Sequence, residues 1–233
     1  MGSNSARADH SKIGQYLLYI VLILLNIQIG FAQNDQESFT VFRIKYDGGG
    51  DWYGNKTTFI NLLSFMAAEL HIPTQNKEVS GSISDDHLFS NPTAYLAGHG
   101  NVKFTEAEAA RLRTYLISGG FLFADDDYGM DKSFRREMKK VFPELDFVEL
   151  PFNHPIYHVH FDFPNGLPKI HEHDGGPPRG LGLIYQGRLV VFYSVNTDIS
   201  DGCEDAEIHQ DPPEKHRLAL RMGLNILLYS LLY

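Results

Sequence analysis

Cysteine is almost missing from this chain. Cys203 is the only one among 233 residues, so no intrachain disulfide can form and stability must come from a packed core. It lies in Asp201-Gly202-Cys203-Glu204-Asp205, where negative neighbours disfavour the thiolate that a nucleophile needs. Positive charge is also short. Lys and Arg number 20 against 29 Asp and Glu, for a net charge of −9. An acidic domain repels phosphate backbones, which argues against nucleic acid as a partner. The apolar run from Tyr16 to Ile29 falls short of the roughly 20 residues of a membrane span. The glycine run Gly48-Gly49-Gly50 has no Gly-Lys-Ser/Thr ending, and no Gly-x-Gly-x-x-Gly leads into a helix. Phosphate-loop and dinucleotide readings are therefore excluded. The zinc-protease signature His-Glu-x-x-His is absent, as are repeats and low-complexity tracts.

What is present suits one globular domain of roughly 200 residues: 43% hydrophobic, 12% aromatic and 21% charged residues. Arg7 and Lys12 precede the apolar run, and Gly30-Phe31-Ala32 and the polar Gln33-Asn34-Asp35-Gln36 follow it. This is the order of a secretory signal peptide. The reading is a signal peptide over 1–32, or an N-terminal membrane anchor if it stays uncleaved, then a short linker over 33–38 and a single α/β domain over 39–233. Both alternatives export the domain, to the periplasm or cell envelope.

Hydrophobic periodicity orders the domain. Residues 41–46 read as a strand, and Phe59, Leu62, Leu63, Met66 and Leu70 as a helix face. Residues 93–97 and 121–124 read as buried strands. Thr105 and Glu108 form a capping box for the helix between them, and Gly119-Gly120 stop it. Asp131 or Ser133 caps a further helix that ends at Pro143. Residues 151–180 read as a long loop. Strands 181–185 and 188–193 form a hairpin through Gln186-Gly187. Asp211-Pro212-Pro213-Glu214 opens a last helix with cap, early proline and early acid. Its half from Met222 to Tyr233 is apolar nearly all round, for burial or for a subunit contact. Strand–helix alternation predicts an α/β layer fold with a largely parallel sheet.

Ligands of such sheets bind beyond the carboxyl ends of the strands. Those ends carry Asp47 to Tyr53, Gly98-His99-Gly100, Asp125-Asp126-Asp127 and, after Tyr193, Asp198 and Asp201. Trp52 and Tyr53 beside acids suit a glycan or small polar ligand. Asp125 and Asp127 share one side of an extended exit, where close carboxylates call for a cation, a shared proton or a cationic partner such as Arg135 or Arg136. His154 and His158, with His160, fall on one face if extended, a pattern compatible with a divalent metal once a carboxylate such as Asp125 is added. A solvated histidine loop is the alternative. His171 and His173 carry less weight.

In order along the chain, Tyr46-Asp47-Gly48-Gly49-Gly50-Asp51-Trp52-Tyr53, Gly98-His99-Gly100, Gly119 to Asp126, Ser133 to Met138 and His154-Pro155-Ile156-Tyr157-His158 resemble the bacterial family known as domain of unknown function 4159, over about residues 39–232. The resemblance implies a fold similar to class I glutamine amidotransferases, a flavodoxin-like three-layer sandwich. It also implies export or membrane association, since some members are fused to aerotolerance-type membrane proteins. It implies no reaction. An amidotransferase would carry a nucleophile cysteine after a central strand, whereas here Asp125 follows Phe121-Leu122-Phe123-Ala124. The resemblance carries over His154 and His158 but not His160, His171 or His173.

Two functional expectations stand. One is an envelope domain that binds a ligand or a protein partner at the sheet rim, through Asp47, Asp51, Trp52, Tyr53, His99, Asp125, Asp126, Arg136 and Tyr157. The other is a metal-assisted hydrolase, with Asp125, His154 and His158 as metal ligands. Oligomerisation through the C-terminal helix is a third, structural role.

Overall fold

The computed structural model describes residues 38–173 and 175–233; the signal-peptide or anchor reading and nearly all of the linker lie outside them. Among the described residues, seven strands form one mixed sheet in the order β2-β1-β3-β4-β7-β6-β5. The strands are β1 (Phe42–Ile44), β2 (Val79–Gly81), β3 (Thr93–Gly98), β4 (Phe121–Asp126), β5 (Val148–Glu149), β6 (Arg179–Tyr185) and β7 (Arg188–Val195). β2, β1, β3, β4 and β7 run parallel, while β6 is antiparallel to both β7 and β5. The three long helices expected from the sequence are α1 (Thr58–Leu70), α2 (Glu106–Ile117) and α3 (Asp131–Val141). The short α4 (Ile199–Gly202) and α5 (Ala206–His209) precede the closing α6 (Pro213–Leu232). No helix among the described residues is long and apolar enough to cross a membrane.

β3 and β4 are buried throughout, as expected for strands covered on both faces. Their alternation divides the core. Tyr95, Phe121, Phe123 and Phe192 pack with Phe59, Leu62, Leu63 and Met66 of α1 and with Met222, Ile226 and Leu227 of α6. Ala94, Leu96, Leu122 and Ala124 pack with Leu112 and Leu116 of α2 and Phe134 and Met138 of α3. The helices that follow β1 and β7 thus cover one face, and those that follow β3 and β4 cover the other. Crevices open at the carboxyl ends wherever neighbouring strands send their helices to opposite faces, here between β1 and β3 and between β4 and β7. The apolar second half of α6 is mostly spent on the core, with Leu232 and Tyr233 exposed at its end.

Local signals behaved as their chemistry predicts. Thr105 and Glu108 form both bonds of the capping box. Gln186 and Gly187 both have positive φ, 49° and 83°, the signature of a type I′ hairpin turn. Two caps did not form. Asp131 lies inside the first turn of α3, paired to Arg135 at 2.7 Å, and Ser133 bonds to Val102 N instead. The N-cap of α6 is Pro212 without a side-chain bond, because the Asp211 carboxylate is drawn to His171 at 3.0 Å. The edge strands β2 and β5 were not expected: only three and two residues long, they carry too little alternation to read. Within the long loop, Pro155 opens a 3-10 turn over Pro155–Tyr157.

Candidate functional site

The β1–β3 crevice is built by backbone approach. Gly48 has φ +116°, and a Cβ there would stand 2.5 Å from the Asn101 carbonyl oxygen; one at Gly50 would stand 2.7 Å from that of His99. Glycine therefore brings the 47–54 loop against the 98–103 loop, and Gly50 N and Lys103 N donate across the seam to Asn101 O and Asp47 O. The loop is held from beneath by the buried Arg43, which donates to the carbonyls of Trp52, Gly54 and Asn55 and pairs with Glu78 at 2.8 Å. Asp51 is aimed at His99: it accepts from the His99 backbone N–H and meets Nδ1 at 3.1 Å. This pair is open to solvent. Asp47 and Tyr53 are exposed, and Trp52 lies against Lys45 Nζ, 5.2 Å from its ring centre.

The β4–β7 crevice is buried and acidic. Asp125, Asp126 and Asp127 alternate as an extended exit requires. Asp126 turns to the α3 side, where it accepts from Met130 N, Tyr128 N and the Tyr193 hydroxyl; it shapes the turn. Asp125 and Asp127 turn to the other side and meet at Ser200. Ser200 Oγ lies 2.5 Å from Asp125 Oδ2 and 3.1 Å from Asp127 Oδ1. One hydroxyl proton cannot serve two carboxylates, so protonation of one of them relieves the bridge. Burial, the largest cause, lifts Asp125 to about 7. Burial first, then the charges of Asp201, Asp125 and Asp198, holds Asp127 well above the ordinary carboxylate range. Asn55 Nδ2 donates to Asp127 at 3.0 Å, joining this crevice to the glycine loop.

Asp198 and Asp201 complete the acidic wall. Asp198 is fully buried in a left-handed conformation, φ +61°. Its Oδ2 meets His171 Nδ1 at 3.2 Å and also His173 Nε2. Burial, then Asp198, raises Asp201 to about 6. The hydrogen bond to Asp198 leads the causes that lift His171 to about 9. The Oδ1 atoms of Asp198 and Asp201 are buried without a hydrogen-bond partner among the described residues. Neither Arg135 nor Arg136 neutralises the wall. Arg135 pairs with Asp131, while Arg136 pairs with Glu137 and reaches Asn101 and the Val102 carbonyl. The positive charge comes instead from His171.

His171, Asp201 and His209 each offer a donor atom, all within 4.8 Å of one another, a spacing that a metal ion can bridge. Asp125, His154 and His158 form no such group among the described residues. Asp125 is committed to Ser194 and Ser200. His154 caps the 3-10 turn by accepting from Ile156 N and stands beside the Tyr229 ring, and burial lowers its proton affinity. His158 is held by the Phe152 carbonyl at 2.7 Å and Asp162 at 2.5 Å. Proline-induced turning is the physical reason: the segment is not extended, so the alternation that would align its histidines does not arise. Tyr157 belongs to the core, 1% exposed, and faces away from solvent. Cys203 is buried, its thiol pushed up by burial and then by Asp125 and Asp201.

Sequence reasoning placed the rim at Asp51, His99, Asp125 and the loop after β7. It gave His171 and His173 little weight and missed His209 and Asp211 as members of the wall. The one signal was Asp198 and Asp201 at the same predicted rim, which asks for nearby positive groups in a basic-poor chain.

No curated protein matches this chain. A family model described as Domain of unknown function (DUF4159) matches residues 40–231, nearly all of the described residues, and includes both crevices. The chain belongs to that family.

Proposed function

We propose that this is an exported, envelope-associated binding domain whose site is the acidic rim at the carboxyl ends of β1, β3, β4 and β7. Its ligand is a small polar or glycan-like molecule that brings hydroxyl or cationic groups to the carboxylates. One observation carries the reading: Asp198 and Asp201 each bury a carboxylate oxygen with no donor among the described residues. Buried polar atoms are ordinarily satisfied, and an unmet carboxylate oxygen costs about 1–3 kcal/mol. The solvent-open Asp51–His99 pair next to the buried wall supplies an entrance. The fold is consistent with the flavodoxin-like, amidotransferase-like sandwich that the resemblance implies, without its nucleophile. The alternative, metal-assisted hydrolysis, is favoured by the His171–Asp201–His209 group beside two carboxyls, Asp125 and Asp127, held above their ordinary range; such a pair is suited to moving protons at neutral pH.

The test is thermal stabilisation of the full chain by a panel of oligosaccharides and polyamines. The expected result is a saturable rise in Tm with at least one probe, weakened tenfold or more in apparent affinity by Asp51→Asn and by His99→Ala. No rise with any probe, or a rise that both variants retain, refutes the binding reading.

A further inference from the structure

We infer that His171, Asp201 and His209 form a binding site for a divalent transition metal of the Zn²⁺ class. The inference deepens the binding reading above and rests on the same rim being the site.

The geometry is close to what a small tetrahedral ion requires. Asp201 Oδ2 stands 3.8 Å from His171 Nδ1 and 4.0 Å from His209 Nε2. Zinc bonds of about 2.0–2.2 Å place neighbouring donors about 3.4 Å apart, so both Asp201 pairs close by well under 1 Å around an ion. Glu204 Oε2, 3.0 Å from His209 Nε2, stands outside the three-donor group and leaves the fourth position to solvent. The outer contacts are those a metal histidine needs. Asp211 holds His171 Nε2 at 3.0 Å and so keeps a proton on that nitrogen; Nδ1, 3.2 Å from Asp198 and 3.8 Å from Asp201, is the atom a metal would take in place of its proton. Carboxylate–histidine pairing of this kind fixes the tautomer and orients the ring.

The independent sign of a ligand is Asp201 itself. It is 8% exposed, and its Oδ1 has no partner. Asp198, fully buried and 3.2 Å from His171 Nδ1, leaves its own Oδ1 equally unmet. A cation bound through Asp201 Oδ2 brings positive charge to two buried carboxylates whose Oδ1 atoms meet no donor among the described residues. Two imidazole nitrogens select against Mg²⁺ and Ca²⁺, which take oxygen ligands, and favour Zn²⁺ and its neighbours. The three donors come from the loop before β6, from α4 and from α5, so the ion also ties together segments that share no long element.

The experiment is calorimetric titration of the metal-stripped full chain with Zn²⁺ alone, and separately with Mg²⁺. One Zn²⁺ per chain is expected, with Mg²⁺ at least 100-fold weaker. His209→Ala and Asp201→Asn should each weaken Zn²⁺ tenfold or more, while His158→Ala and His160→Ala, outside the group, should not. Circular dichroism confirms that each variant folds. Should His209→Ala not fold, the milder His209→Gln and the visible Co²⁺ spectrum of the wild-type chain, with the intense bands of four-coordination, take its place. No Zn²⁺ uptake, equal affinity for Mg²⁺, or Zn²⁺ binding unchanged in the site variants overturns the inference. Since no organic ligand is present, loss of the metal with saccharide or polyamine binding intact sinks the metal site alone; loss of both sinks the rim reading as well.

Discussion

Replacing Asp125 by Asn should stabilise the protein at high pH and leave it nearly unchanged at low pH. Asp125 is fully buried. Desolvation dominates its environment and lifts its proton affinity from 3.8 to about 7, against the opposing hydrogen bonds of Ser194 and Ser200. A displacement of that size corresponds to about 4 kcal/mol of penalty on the ionised form. The folded chain therefore holds a proton that the unfolded chain has released between those two values. The resulting stability is fully present below pH 3.8 and is lost as the pH rises through about 7. Asparagine reproduces the neutral acid's bonding. Ser194 Oγ lies 2.5 Å from Asp125 Oδ1 and 3.2 Å from the Ala124 carbonyl, so it can accept from the amide and donate onward. The remaining oxygen keeps Ser200 N at 2.6 Å and Ser200 Oγ at 2.5 Å. Urea unfolding with chelator present, from pH 5 to pH 9, should show wild type losing stability relative to Asp125→Asn by about 2–3 kcal/mol, since the rest of the full penalty develops below pH 5. A variant destabilised equally at every pH would mean that the carboxylate is ionised and balanced in the native state. The desolvation argument would then be refuted.

Other perturbations test the scaffold. Arg43→Ala removes the cation that holds three loop carbonyls and strands the largely enclosed Glu78 carboxylate; a loss of about 3–5 kcal/mol is expected in denaturant melts. Phe123→Ala empties the centre of the core face shared with α1 and α6 and should cost about 3–5 kcal/mol by the same measurement. Gly48→Ala forces a Cβ to within 2.5 Å of the Asn101 carbonyl oxygen at φ +116°, for a loss of about 1–3 kcal/mol, with hydrogen exchange accelerating at Gly50 and Lys103. Gln186→Asn places a better residue at the φ 49° position of the hairpin turn and should raise stability by about 0.5 kcal/mol, read as a small rise in Tm.

Period and punctuation were legible without a structure. The apolar stripe from Phe59 to Leu70, the capping box at Thr105 and Glu108, and Gln186-Gly187 each state their element through interactions within a few residues. The assignment of Asp125 and Asp127 to one side and Asp126 to the other followed from strand alternation alone. Short edge strands and helix caps were less legible, because they depend on competition. Asp211 can cap α6 or bind His171, and only the position of His171 decides which.

The sequence by itself determined an acidic, disulfide-free α/β domain with carboxylates at the ends of its strands, since composition and periodicity are properties of the chain. Tertiary structure alone decided which charges meet. His171, Asp201 and His209 are separated by 30 and 8 positions in sequence, yet their donor atoms lie within 4.8 Å. His154 and His158, only four apart, turn to different partners. Distance along the chain fixes neighbours only inside regular elements; in loops, the fold sets them.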